Sequence, residues 1–252
     1  MTDSRIYDLT AGTPASTDVF PYTNGTTTYK STFQSASNAI SGNNWVPVGG
    51  WIPVSDTWTY ASATSVTVPS GAGSIYDIGF LLRWKQGSTY QYYNVVGTAD
   101  SLLTVTGGTE YTVGTAAITD IYYSNSLPSV GFPPYFSWSP IYTGFSTNPT
   151  DTVSRFNLIG RKVIFEHDEA TNGTSNSGNF FISIPLTATT ITNATWGGIC
   201  SYAINNGTPL TSPCRWAIIP AGTAIQIYTD MNIGTFAGSA GKRVRVMGWY
   251  EI

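Results

Sequence analysis

Charge is what this chain has least of: Asp, Glu, Lys and Arg together make up 10% of its 252 residues, against roughly 25% in an average soluble domain. Its hydrophobic residues reach 41%, so the low charge does not signal disorder, which needs low hydrophobicity together with high charge. Solubility must come from hydroxyls and amides. The eleven Lys and Arg are scattered and the net charge is −3, so no basic field collects phosphates, and nucleic acid is excluded as a partner. Cysteine occurs twice, at Cys200 and Cys214, too few for a disulfide framework in a chain this long. The two are close enough in sequence to pair, yet a reducing site of synthesis favours two buried free thiols. Met1–Ile6 lacks the basic start and apolar core of a secretory signal, and no apolar run approaches the ~20 residues of a membrane helix. The expectation is a protein made in cytosol with no membrane insertion. The Asn-x-Thr triplets at Asn24, Asn172, Asn193 and Asn206 then mark turns and not glycans.

Helical periodicity is missing too: no segment longer than ten residues repeats at 3.6. What is present is aromatic and β-branched sequence cut by Gly, Pro and Asn, with aromatics at 14%, and such side chains suit a pleated, half-buried surface. The chain therefore reads as all-β. Its expected order is an extended arm at 1–44, a small β-barrel or sandwich at 45–126, and a C-terminal antiparallel, jelly-roll-like β-sandwich at 127–252. The arm has little to bury, with a turn at Asn24-Gly25 and at most one helical turn at Phe33–Ile40. The doubled phrases Trp45-Val46-Pro47-Val48 and Trp51-Ile52-Pro53-Val54 each hold a proline, which confines them to sheet edges with the tryptophans turned inward. Strands follow at Ser65–Val68, Ile78–Lys85, Tyr90–Val96, Leu102–Val105 and Ile118–Tyr123, at the spacing of a small barrel or sandwich. Pro128, Gly131, Pro133 and Pro134 break the chain. Beyond them, strands are expected at Val153–Leu158, Arg161–Glu166, Asn179–Ile184, Trp196–Ala203, Trp216–Ile219, Ala224–Tyr228 and Arg243–Glu251. In the last, Val244 and Val246 alternate with Arg243 and Arg245, one buried face and one wet.

The stretch Ser154 to Pro185 organises the second half, as two apolar-rich runs, Val153–Glu166 and Asn179–Pro185, around an exposed Thr/Asn/Gly/Ser loop. Its Ser154-Arg155-Phe156, Ile159-Gly160-Arg161-Lys162-Val163 and Phe181-Ile182-Ser183-Ile184-Pro185 resemble the C-terminal β-domain of many tailed-bacteriophage fibre and virion surface proteins. The ending Arg243–Tyr250 is similar to that family's terminal strand. Residues 45–125, with G-W-I-P-V-S-D-T-W-T-Y and L-T-V-T-G-G-T-E-Y-T-V, resemble a module of phage and prophage structural proteins. At the other end, Leu9, Asp18-Val19-Phe20-Pro21, Asn24-Gly25 and Thr28-Tyr29-Lys30 resemble the segment by which phage fibres join the particle. This likeness implies Leu9, Asp18, Val19, Phe20, Pro21 and Tyr22 as virion-attachment residues. It further implies a virion protein made in the host bacterial cytoplasm: a tail fibre or spike presenting its distal domain for receptor binding. The implied partners are other virion proteins, further copies of itself (a homotrimer), and a host cell-surface glycan or protein. Repeated weak contacts would act through effective concentration. Capsid decoration as a head fibre, or a baseplate or neck role without a receptor, uses the same parts. A polysaccharide-degrading spike is a third possibility, which the absence of β-helix repeats opposes.

Chemistry finds little foothold. The single histidine, His167, lies in Glu166-His167-Asp168-Glu169, where Glu166 and Asp168 share one strand face and His167 takes the other, so the run cannot converge on a metal by itself. The expectation is a solvated strand end. No G-x-S-x-G elbow accompanies the histidine, and Gly234–Arg243 fails as a phosphate loop because no Ser or Thr follows Lys242; it reads as a hairpin loop. Carboxylate pairs are defined in space and not in sequence. No catalytic, metal or cofactor-binding residue is expected, and the reading is not that of an enzyme. Tyr90, Tyr92, Tyr93, Tyr122, Tyr123, Trp196 and Tyr202 have the flat, amphipathic rings that stack on sugars or fill a partner's pocket. Strand alternation assigns half of them to a core.

Overall fold

The computed structural model describes residues 19–24, 27–32, 49–125, 129–189, 196–218 and 222–252, the first two segments by backbone alone. The chain divides into two compact units, Met1–Ile52 and Pro53–Ile252. In the first, β1 (Val19–Asn24) and β2 (Thr27–Thr32) pair antiparallel with Asn24 opposite Thr27, so the chain reverses where Asn24-Gly25 marks a turn. Pro21 is compatible with β1 because a two-stranded ribbon leaves each strand one edge without a ladder. The helical turn expected at 33–40 and the first Trp-Pro phrase at 45–48 lie outside the described residues.

The second unit is antiparallel β; among the described residues its one helical segment is a 3-10 turn at Ala72–Ser74. Its first strands are β3 (Ile52–Pro53), β4 (Thr59–Ser62), β5 (Ser65–Thr67), β6 (Leu81–Gln86), β7 (Thr89–Ala99), β8 (Leu102–Thr106) and β9 (Ile118–Ser124). They form one seven-stranded sheet in the order β3-β9-β6-β7-β8-β5-β4. Pro53 stands in an end strand, where its missing N–H costs no ladder bond. Gly87, at φ 71°, turns β6 into β7 with Gln86 opposite Thr89, a two-residue loop whose positive φ matches the strand twist. Trp58, Val66, Leu82, Trp84, Tyr93, Val95, Leu103 and Val105 belong to its core. Trp84 stacks on Tyr93 at 4.2 Å and meets Trp58 edge-on at 6.1 Å.

From Phe136 onward the chain forms β10 (Phe136–Ser137), β11 (Tyr142–Thr143), β12 (Phe145–Thr147), β13 (Asp151–Ile159), β14 (Lys162–Glu169), β15 (Gly173–Ser175) and β16 (Phe181–Ser183). After them come β17 (Trp196–Ile199), β18 (Tyr202–Asn205), β19 (Thr208–Pro209), β20 (Arg215–Ile218), β21 (Ala224–Tyr228) and β22 (Gly241–Glu251). One sheet runs β10-β13-β14-β22-β15-β12, with β18 on β22 and β19 on β18; the other runs β11-β16-β21-β20-β17. A common core joins Phe156, Val163, Phe165, Val244, Val246 and Tyr250 of the first to Ile182, Trp216, Ile218, Ile225 and Ile227 of the second. This is a sandwich, as the composition and spacing predicted. The expected alternation in β22 holds, with Val244 and Val246 inside and Arg245 exposed. Gly248 continues the inward row, and a Cβ there would run into the Trp216 indole of the opposite sheet. One layer lacks a side chain where the other has its largest.

Three details differ from the sequence reading. Ser154–Pro185 is not one strand pair around an exposed loop: β13 turns into β14 at Gly160 (φ 58°), while β16 lies in the other sheet. The loop between them holds β15, whose Gly173 and Ser175 are buried, with the Ser175 hydroxyl donating to the carbonyls of Ser177 (3.0 Å) and Ala237 (2.7 Å). Small polar residues can be buried when each hydroxyl finds a carbonyl. Trp196–Ala203 is two strands, because the chain changes sheets at Cys200-Ser201. For the same reason Gly234–Arg243 is a crossover and not a hairpin loop, since β21 and β22 belong to different sheets.

The two cores of the second unit meet at Tyr111, whose ring lies 6.1 Å from Tyr93 on one side and 6.3 Å from Phe136 on the other. Both oxygens of Glu110 accept the Ser137 N–H at 3.0 Å, and the Thr109 N–H donates to the Ser137 carbonyl. Gly108, at φ 62°, permits this approach, for a Cβ there would stand 2.7 Å from that of Phe136.

Candidate functional site

The expected solvated strand end is instead largely buried: His167 and Glu169 have no exposed surface, Asp168 retains 7%, and Glu166 alone of the four is half-exposed. Parity explains the pairing. His167 and Glu169, two apart on β14, share the face turned toward the other sheet, while Asp168 takes the opposite face. The Ser154 hydroxyl lies 2.9 Å from His167 Nδ1, and His167 Nε2 lies 3.3 Å from Glu169 Oε1 and 3.2 Å from the Tyr142 hydroxyl. Tyr142 also donates to Asp151, whose other oxygen accepts from Ser154 at 3.2 Å. Glu169 Oε2 accepts the Val244 N–H at 2.8 Å. Burial pushes the Glu169 carboxyl above its ordinary range, with His167 and the Val244 amide opposing; burial and then the bond to Asp151 push the Tyr142 phenol up.

A serine, a histidine and a carboxylate in contact have the membership of a nucleophilic triad. Here both ring nitrogens are engaged and the imidazole has no face open to a substrate. The network links β11 of one sheet to β13, β14 and β22 of the other, so its chemistry is spent on joining the layers. Among the described residues no group of three or more His, Cys, Asp or Glu is arranged to hold a metal.

Other polar groups nearby serve the same end. Lys242, without exposed surface, donates to the carbonyls of Ser177 (3.0 Å) and Asn179. Its Nζ lies 4.7 Å from the Phe145 ring and 5.4 Å from that of Phe180. Burial lowers its ammonium to about 8, with the Glu169 charge pulling the other way. Asp168 is opposed by burial, but Arg245 at 2.5 Å and Arg243 at 3.6 Å outweigh it and hold the carboxyl below its usual range. Cys200 and Cys214 are buried free thiols, as expected, on facing residues joined by an N–H to carbonyl bond of 3.0 Å.

Two surfaces have the character of binding sites. The first is the outer face of the sandwich, where Ile164 of β14 stands opposite Trp249 of β22 and Glu166 opposite Met247. Ile164, Met247 and Trp249 are all exposed, at 38%, 55% and 46%. The Trp196 ring reaches Trp249 at 5.0 Å, and Lys162 lies over Trp249 at 4.0 Å. Arg155 and Glu166 pair at 2.7 Å beside this apolar centre.

The second surface is the outer face of the seven-stranded sheet. Register brings Tyr92, Arg83 and Tyr122 into one row, and Tyr90, Lys85 and Thr119 into the next. The Arg83 guanidinium lies 4.4 Å from the Tyr122 ring and 5.0 Å from that of Tyr90. Lys85 lies 4.9 Å from Tyr90 and pairs with Asp120 at 2.6 Å, a contact that raises its ammonium above the ordinary range. Trp84 faces both Asp120 and Ile121, a bulge in β9 with Asp120 at φ 49°. Beside it a groove of about 320 Å³ runs between residues 53–57 and 118–122.

Of the aromatics singled out from sequence, Tyr93 is a core residue, Tyr123 packs on that core, and Tyr92 packs against the sandwich core. Tyr90, Tyr122 and Trp196 are half-buried and Tyr202 is exposed. Val19, Phe20, Pro21 and Tyr22 lie in β1; Leu9 and Asp18 fall outside the described residues. Sequence reasoning missed Arg83, Lys85 and Asp120, although the strict alternation of Arg83 and Lys85 with Leu82 and Trp84 was a usable signal. No protein family, curated protein or solved structure matches the chain.

Proposed function

We propose that this is a bacteriophage virion structural protein, a fibre or spike that joins the particle through its N-terminal residues, works as a homotrimer and offers its terminal sandwich to the host surface. The observation that carries the reading is the outer sandwich face. An apolar centre of Ile164, Met247 and Trp249 inside a rim of internally paired charge has the anatomy of a protein contact. The ionisable groups with catalytic potential support a non-enzymatic role by their placement, since His167 and Glu169 lie between the sheets.

Capsid decoration or a baseplate role would employ the same face against other virion proteins. Labelling residue 2 with gold in intact particles separates these readings: label on a tail tip or baseplate with free distal sandwiches supports adsorption, and label spread over a capsid shell moves the assignment to decoration. Failure of an antibody against the chain to mark any virion overturns the proposal.

A further inference from the structure

Neither binding face uses Cys200 or Cys214. We propose that this pair is a modification site, at which the two thiols join as an intramolecular disulfide once the chain leaves reducing surroundings and meets small-molecule disulfides. The inference needs no particular place on a virion.

Register brings the pair together. In the ladder between β17 and β20, Trp196 faces Ile218, Gly198 faces Trp216 and Ile199 faces Arg215, so one further step sets Cys200 opposite Cys214. The Cys200 N–H donates to the Cys214 carbonyl at 3.0 Å, which carries the antiparallel pairing past the last strand residue. Directly opposed residues in such a pairing have Cα atoms roughly 4.5–5.5 Å apart, inside the ~4.4–6.8 Å that a disulfide spans. Parity then fixes direction. Cys214 precedes the buried Trp216 by two residues, and Cys200 follows by two the Gly198 whose added Cβ would meet the Trp216 indole, so both side chains turn inward. Both belong to the sandwich core.

The sulfurs are already in contact, with the Cys200 thiol donating to that of Cys214. This bond holds the Cys214 thiol below its ordinary range against burial, and the same bond with burial pushes Cys200 up. A more acidic thiol beside a protonated neighbour is the arrangement that disulfide exchange uses. The Cys214 thiolate attacks one sulfur of an incoming disulfide and expels a thiolate, leaving a mixed disulfide. Cys200 loses its proton, attacks the Cys214 sulfur and expels the second thiolate. Two protein thiols are oxidised by two electrons, one small disulfide is reduced to two thiols, and the two protons end on those leaving groups.

Access is restricted but local. Cys200 retains 5% exposure and Cys214 2%, while Ser201, Tyr202 and residues 211–213 beside them are exposed. Opening of such a segment needs no global unfolding. The link would tie two layers at their weakest seam. The chain changes sheets at Cys200-Ser201, and the segment between the cysteines carries β18 and β19, which lie in the other sheet from β17 and β20.

The test takes the full chain purified under reductant, exchanges it into oxidised glutathione, and alkylates it with iodoacetamide in denaturant. The expected product is lighter than the reduced chain by two hydrogen atoms, takes up no alkyl group, and yields a peptide joining Cys200 to Cys214 on non-reducing digestion. Closing a loop of about 15 residues should also raise the thermal midpoint by roughly 5–10 °C in a domain of this size. The double variant Cys200→Ala, Cys214→Ala should show no such response to oxidised glutathione; the mass of the parent chain decides the matter even if that variant folds poorly. Two alkylated thiols after prolonged oxidation, persistent glutathione adducts, links between chains, or a linked chain whose midpoint does not rise overturns the proposal.

Discussion

On the seven-stranded sheet Lys85 and Asp120 stand outside, Lys85 against Tyr90, whereas the sandwich has drawn His167, Glu169 and Lys242 wholly between its layers. Both regions belong to a chain with few charges to place. An exposed ion pair contributes little to stability because water already solvates each partner, so the outer group is free to serve recognition. A buried ionisable group must be satisfied at every atom or it destabilises the fold, so the inner group is committed to the scaffold. Location, and not residue type, separates the two roles.

The comparison breaks most sharply at Glu169. Glu169→Ala would leave the Val244 N–H without its buried acceptor and His167 Nε2 with the Tyr142 hydroxyl alone, and loss of one partner from such a network costs about 3–5 kcal/mol; urea denaturation should show it. Glu169→Gln keeps an acceptor and should lose less. Gly248→Ala should cost about 1–3 kcal/mol by pressing a methyl into the Trp216 indole, again read from denaturation midpoints. The loss should vanish in part when Trp216→Phe is added.

Lys242 gives a pH-dependent contrast. Its folded-state value of about 8 lies below the 10.5 of the ordinary side chain, so between these limits the unfolded chain holds a proton that the folded one has released. Stability contributed by this site therefore rises as pH goes from about 8 toward 10.5. Lys242→Met should flatten that rise relative to the parent when urea midpoints are compared across the window. The smallest effect is expected for Lys85→Ala, which should leave the midpoint within measurement error at moderate salt. A large loss of stability from Lys85→Ala would erase the distinction between the two regions.

Much of the fold was legible because strand parity is written into neighbouring residues. Val244 and Val246 against Arg243 and Arg245 gave β22 its two faces, and Trp51 read correctly as inward-facing. The same parity puts Lys242 on the Val244 face and Glu169 on the His167 face, a clue passed over because ionisable residues are seldom placed inside. What parity cannot say is which sheet a strand joins. β13, β14 and β16 are close in sequence yet divide between layers, and the sheet changes at Cys200-Ser201 and at 229–240 depend on contacts distant along the chain. The candidate groove was hidden for a related reason. Asp120 looks like any polar residue in a strand until pairing with β6 shows two residues opposite Trp84.

The Pro- and Gly-rich stretch around residues 129–134 invites a protease or a cloning scissor, but Tyr111 and Glu110 have already fastened one side to the other. Severing there would strand aromatic rings in water on both fragments. Calorimetry of Pro53–Ile252 should accordingly register a single endotherm, and neither half, expressed by itself, should stay in solution as well as the two together.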